Sequence, residues 1–197
     1  MNSFLHCLAI TFFSIFCLES TAFAQFSNPF GAQKTIAQQR EDILKASNET
    51  LKKLYQVQPK AKGLIEKSAG YATFNNFGMK ILIAGGGSGS GVAIKKDGGK
   101  PIFMNMAEVQ AGLGIGIKSF QNVFIFESPA ALNDFINSGW TFGGQVTAAA
   151  KYENNGDAYQ DSVVVAPGVR MYQLTDSGIA AEITGKGTKY YKSTDLN

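Results

Sequence analysis

The sequence predicts an α+β protein in which N-terminal amphipathic helices pack on a curled or barrel-like, mainly antiparallel, glycine-rich β-sheet. Three observations predict it. A strongly amphipathic segment, Gln33 to Lys67, precedes everything that reads as strand. From Tyr71 onward the chain is a series of short strands separated by turn sequences such as Lys96-Asp97-Gly98-Gly99, and many short strands with tight turns favour a sheet that curls or closes. Two stretches then place glycine at alternate positions: Gly87, Gly89 and Gly91, and Gly112, Gly114 and Gly116. A strand puts alternate residues on one face, so each stretch offers a face without side chains. Glycine in a strand costs stability and packs nothing, so these six are read as positions of close packing. The spacing does not suit a nucleotide loop. The glycines run G-x-G-x-G, and Val92 to Lys95 after them reads as strand, where the phosphate-binding motifs need a helix N-terminus.

Taken in order, Met1 to Ala24 reads as an export signal. An apolar run from Phe4 to Leu18 leads to Ala22-Phe23-Ala24, a small-x-small site with cleavage expected after Ala24. Residues 25–32 form a short linker, and 33–197 a single domain. The first helix carries Ile36, Ile43, Leu44, Ser47, Leu51, Leu54 and Tyr55 at helical spacing. A shorter helix covers Lys60 to Lys67, entered through Pro59 and closed at Ala69-Gly70. Strands are expected at Tyr71–Phe74 and Lys80–Ile83, with a turn at Asn75-Asn76-Phe77-Gly78 between them. Further strands are expected at Pro101–Met106, Val109–Lys118 and Gln121–Glu127. A helix comes next, with Ser128 as N-cap, Pro129 in the first turn and Gly139 past its end. Strands resume at Trp140–Lys151, Ser162–Ala166, Gly168–Leu174, Ile179–Ile183 and Lys189–Tyr191.

Both cysteines (Cys7, Cys17) and the only histidine (His6) lie before Ala24. Export would leave no thiol or imidazole, and therefore no Cys- or His-based nucleophile, base or metal site. The protein is expected not to be an enzyme and to need no cofactor; an enzyme using Glu108 or Glu127 with a bound cation has no spacing to favour it. The formal charge of +3 is too small to indicate nucleic acid. Its distribution is more telling: from Gln33 to Lys67 stand eight basic residues against four acidic ones, and beyond Ser68 the two signs balance. Lys52, Lys53, Lys60, Lys62 and Lys67 are therefore the expected contacts for an anionic phospholipid surface. Two other readings stay open: an envelope assembly factor binding a protein partner through Phe30, Phe77 and Trp140, and a barrel whose glycine-lined strands admit an acyl chain.

The order of pieces also resembles the SYLF-domain family. Leu51–Leu54, Pro59-Lys60-Ala61-Lys62-Gly63, Ala69-Gly70-Tyr71-Ala72-Thr73-Phe74 and the Gly85–Val92 run match its opening. Gln110–Gly114, Val123–Phe126, the helix through Phe135, Phe142-Gly143-Gly144 and Gly178–Ala181 continue in the family's order. Asn75 departs from the pattern, standing where the family usually has proline. The resemblance implies a non-catalytic lipid-binding module. Eukaryotic members are linked to phosphoinositide membranes and, in yeast, to actin; bacterial members are exported. For this chain it implies a periplasmic or secreted protein with affinity for anionic phospholipid.

Overall fold

A computed structural model describes residues 34–81, 84–111, 116–142, 162–175, 178–179 and 186–197. The segment expected to be an export signal, the expected linker with Phe30, and Gly112 and Gly114 lie outside the described residues, as does most of the strand expected to reach Lys151. The element order is α1 (Ile36–Val57), α2 (Lys60–Lys67), β1 (Gly70–Ile81), β2 (Ala84–Lys95), β3 (Ile102–Ala111) and β4 (Gly116–Phe126). Then come α3 (Pro129–Ser138), β5 (Trp140–Phe142), β6 (Val163–Ala166), β7 (Val169–Thr175), β8 (Gly178–Ile179) and β9 (Lys186–Lys192). All strand pairs are antiparallel, in the order β5-β9-β3-β2-β1-β4-β7-β6 with β8 on β7. The fold is α+β, as the sequence predicts.

The curl of the sheet can be read from its contacts. Between β9 and β4 lie β3, β2 and β1, which in a flat sheet would separate them by about 19 Å. Yet Asn122 Nδ2 on β4 donates to the Tyr190 hydroxyl on β9 at 2.9 Å, and the Phe124 and Tyr190 rings are 5.0 Å apart. The strands therefore wrap around a concave interior. Phe74, Phe124, Phe126 and Tyr190 fill it from the sheet, and α3 closes one end with Leu132, Phe135 and Ile136. Alternate residues face outward, where Val123, Ile125, Tyr172 and Leu174 meet Leu51, Leu54, Ala61 and Ile65 of α1 and α2. Val92 and Phe103 likewise meet Ile43 and Leu196.

Local signals explain the helices. Thr35 and Gln38 form a reciprocal capping box at the start of α1, satisfying two otherwise orphaned amides. Ser128 caps α3 by accepting from Ala131 N at 3.2 Å, and Gly139 ends it at φ +66°. The stripe of α1 docks outward-facing strands as its spacing implies, with one exception: Ile36 stays 49% exposed. Polar contacts add to the docking, since Thr73 Oγ1 donates to Ser47 Oγ at 2.7 Å.

Two expected boundaries are corrected. There is no turn at Asn75–Gly78: β1 runs unbroken through it, paired with β2 on one side and β4 on the other. A strand bonded on both edges overrides the local turn preference of Asn-Asn-Phe-Gly, because each residue would forfeit ladder bonds on leaving it. The strand expected at Val109–Lys118 is divided. Its first residues end β3 at Ala111 and its last begin β4 at Gly116, two strands that are not neighbours in the sheet.

Candidate functional site

The lysine-rich surface is built where α2 enters the sheet. Ser68 turns the chain out of α2, its hydroxyl donating to Ile65 O at 2.8 Å. At Gly70 a Cβ would fall 2.3 Å from Ile94 O and 2.6 Å from Leu132 Cδ2, so only glycine lets the start of β1 lie this close to β2 and α3. Lys96 N then donates to Ala69 O at 3.0 Å, bringing the β2–β3 turn beside the end of α2. That turn is shaped by Gly99 N donating to Asp97 Oδ1 at 3.2 Å and by Gly98 at φ +87°.

The predicted Lys60, Lys62 and Lys67 are exposed on α2; on α1, Lys52 is exposed and Lys53 half-buried. Their surroundings differ. Along the outer ridge of α1, Glu41, Asp42 and Glu49 alternate with Lys45 and Lys52, which dilutes the positive field. Around α2 and the turn, Lys60, Lys62, Lys67, Lys95, Lys96 and Lys100 outnumber Glu66 and Asp97, and Glu127, one residue beyond the Phe126 that pairs with Gly70, is engaged by Arg170. Lys95, Lys96 and Lys100 escape a reading of the sequence alone, because a segmental charge count treats the turn as balanced. The Gly70–Lys95 pairing and the Lys96–Ala69 hydrogen bond join it to α2. Arg40 serves the fold instead: its Nε donates to Leu196 O at 2.9 Å and its guanidinium lies over the Phe103 ring.

Gly87, Gly89 and Gly91 share the concave face of β2. A Cβ on Gly91 would lie 2.2 Å from Thr73 O and 2.4 Å from Phe74 Cδ1, and one on Gly89 would lie 2.1 Å from Asn76 Oδ1. Gly89 and Gly91 therefore let the side chains of Asn76 and Phe74 on β1 lie across β2. Gly116 opens β4. Trp140 is not a free surface residue: it packs on Phe126 and Phe135, and its Nε1 donates to Asp134 Oδ2 at 2.9 Å. Among the described residues the exposed large apolar side chains include Val109 and Tyr191 instead. Glu108 and Glu127 are not brought together. Glu108 is buried on β3, where Thr188 donates to it, and its row crosses the sheet to Lys118 on β4. Glu127, paired with Arg170, lies nine residues further along that chain, about 30 Å in extended strand.

Tyr190 reports on the interior. Burial pushes its phenol far above the ordinary 10.0; the Asn122 hydrogen bond opposes that shift and the Glu108 charge adds to it. A raised native pKa means that below pH 10 both states keep the proton and the contribution is complete. Above pH 10 the unfolded tyrosine ionises while the native one does not, so stability falls as pH rises. Urea midpoints should decline above pH 10, and Tyr190→Phe should flatten part of that decline. Tyr55 and Tyr71, also raised by burial, contribute in the same direction. An unchanged slope in the variant would contradict this.

A curled antiparallel sheet, with α1 and α2 on its convex face and lysines grouped at one helix-to-strand junction, defines an α+β protein with a positively charged patch. The chain is similar to beta cell expansion factor A of Aeromonas veronii: 29% identical over 163 residues, which cover 83% of this chain and 60% of that relative. No protein-family model matches the chain. Among the described residues no helix is long and apolar enough to cross a membrane.

Proposed function

We propose that this is a non-catalytic, exported protein that binds anionic phospholipid surfaces through the lysines of α2, the end of α1 and the β2–β3 turn. The observation that carries the reading is the grouping of Lys60, Lys62, Lys67, Lys96 and Lys100, all exposed, around one junction where they outnumber the carboxylates. Each lysine close to an anionic membrane contributes about 1 kcal/mol, so four or five acting together suffice for reversible binding. The resemblance to the SYLF-domain family supports this reading. So does the similarity to a protein named for an effect on cells rather than for a reaction. Aromatic side chains fill the described concave core, which favours a surface contact over an acyl chain held inside.

Co-sedimentation with phosphatidylserine or phosphatidylcholine vesicles, at low and high salt, tests the reading. Binding should be confined to the anionic vesicles and weakened by salt, since salt screens exposed charges. The variant Lys60→Gln/Lys67→Gln/Lys96→Gln/Lys100→Gln should bind about a thousandfold more weakly with an unchanged unfolding midpoint. Lys52→Gln/Lys53→Gln should do less, because carboxylates already surround that ridge. Undiminished binding by the fourfold variant, or binding indifferent to salt, would sink the proposal.

A further inference from the structure

Inside the curl, next to the aromatic layer, lies a group of polar side chains that neither the packing nor the lysine surface explains. Asn76 on β1 is 3% exposed, and both its Nδ2 and its Oδ1 lack a hydrogen-bond partner. Asn122 on β4 is 4% exposed; its Nδ2 donates to Tyr190, but its Oδ1 has no partner. Asn122 pairs with Phe74 and Asn76 with Phe120, so the two amides are diagonal neighbours on the inner face, a separation side chains can bridge. On the facing strands Tyr190 pairs with Met106 and Thr188 with Glu108. This sets the Glu108 carboxylate one step along from the Tyr190 hydroxyl that Asn122 holds. The row through Glu108 crosses Gly87 and Gly78, two positions without side chains. Buried amide atoms are nearly always satisfied, and here three unpartnered ones stand one diagonal step apart.

We infer that this group is a subsite for a small ligand bearing a vicinal diol, of the glycerol or sugar type. The Asn76 amide presents a donor and an acceptor side by side, and two adjacent hydroxyls, each both donor and acceptor, match that fork. The Asn122 Oδ1 accepts a further hydroxyl proton. An anionic group suits the site poorly, since it would meet the Glu108 carboxylate and two amide oxygens. The C–H edge of a polyol instead has the Phe74 and Tyr190 rings beside it, themselves packed at 4.6 Å. The subsite is interior and uses none of the surface lysines, so it does not depend on the proposed membrane contact.

Ligand-observed saturation-transfer NMR on the full chain at high salt tests this, with glycerol, glucose, dihexanoyl phosphatidylglycerol and dihexanoyl phosphatidylserine as probes. The two lipids carry the same net charge, but only the first has a diol headgroup, so surface electrostatics cannot separate them. Diol-bearing probes should show transfer and the serine lipid should not. Asn76→Leu should weaken binding about tenfold or more while its unfolding midpoint stays level or rises, because an apolar side chain of similar shape replaces unsatisfied atoms. Binding of glycerol or glucose would identify a free polyol as the ligand, and binding of the glycerol lipid alone would identify a headgroup; either supports the subsite. Equal transfer from both lipids, no transfer from any diol, or undiminished binding by Asn76→Leu would overturn it. Should Asn76→Leu fail to fold, Asn76→Asp keeps the shape, removes the N–H donors and should show the same loss.

Discussion

Phe74→Ala is expected to lower the stability of this protein by about 3–5 kcal/mol, a large share of the roughly 5–15 kcal/mol that holds a domain folded. Phe74 is fully buried at the centre of the curl. Its ring meets those of Phe124 at 6.0 Å, Phe135 at 6.1 Å and Tyr190 at 4.6 Å, each edge to face. It thus joins β1, β4, α3 and β9 at one point, and no neighbour can move into the space without leaving its own ring contacts. Urea unfolding followed by circular dichroism should show a much lower midpoint with little change in slope. Phe74→Leu, which leaves a smaller cavity, should lose appreciably less. A cost below about 1 kcal/mol for the alanine variant would mean that the aromatic layer is not the core.

Gly91→Ala should cost about 3 kcal/mol or more, at the upper end of what overpacking produces. The added methyl would overlap the Thr73 carbonyl oxygen, which is backbone, as well as the Phe74 ring. Neither can yield without opening the β1–β2 ladder. Gly86→Ala is the matched control in the same strand. It is exposed, and its added Cβ would meet only Glu108 O at an ordinary 3.6 Å, so the variant should be neutral or gain up to about 1 kcal/mol from reduced unfolded-state entropy. If both substitutions cost the same, the glycines of β2 are there for a reason other than packing.

The contrast between Gly91 and Gly86 separates local from long-range information. Period-two spacing identifies a side-chain-free face over Gly87, Gly89 and Gly91, but what lies across it depends on β1 pairing in one particular register. The helices are more legible. Ser128, Pro129 and Gly139 bound α3 through contacts within a few residues, and the ends of α2 are set by Pro59 and Ser68 in the same way. Asn75 and Asn76 show the opposite case. Their local preference is for a turn, and two neighbouring strands, the adjacent β2 and the more distant β4, hold them extended.

The candidate site divides along the same line. Lys52, Lys53, Lys60, Lys62 and Lys67 are legible as a basic segment because they are near one another in the chain. Lys95, Lys96 and Lys100 join that surface only because Gly70 pairs with Lys95 and Ala69 accepts from Lys96. The polar interior of Asn76, Glu108, Asn122 and Tyr190 leaves no local trace, since its members come from four strands. By itself the sequence determined the fold class, the three helices and the basic character of the segment before the sheet, all set by periodicity, capping and composition at short range. The tertiary structure alone decided the strand order, the curl that brings β4 to β9, and which charges and amides meet, because long-range pairing is selected by the whole sheet rather than by any one strand.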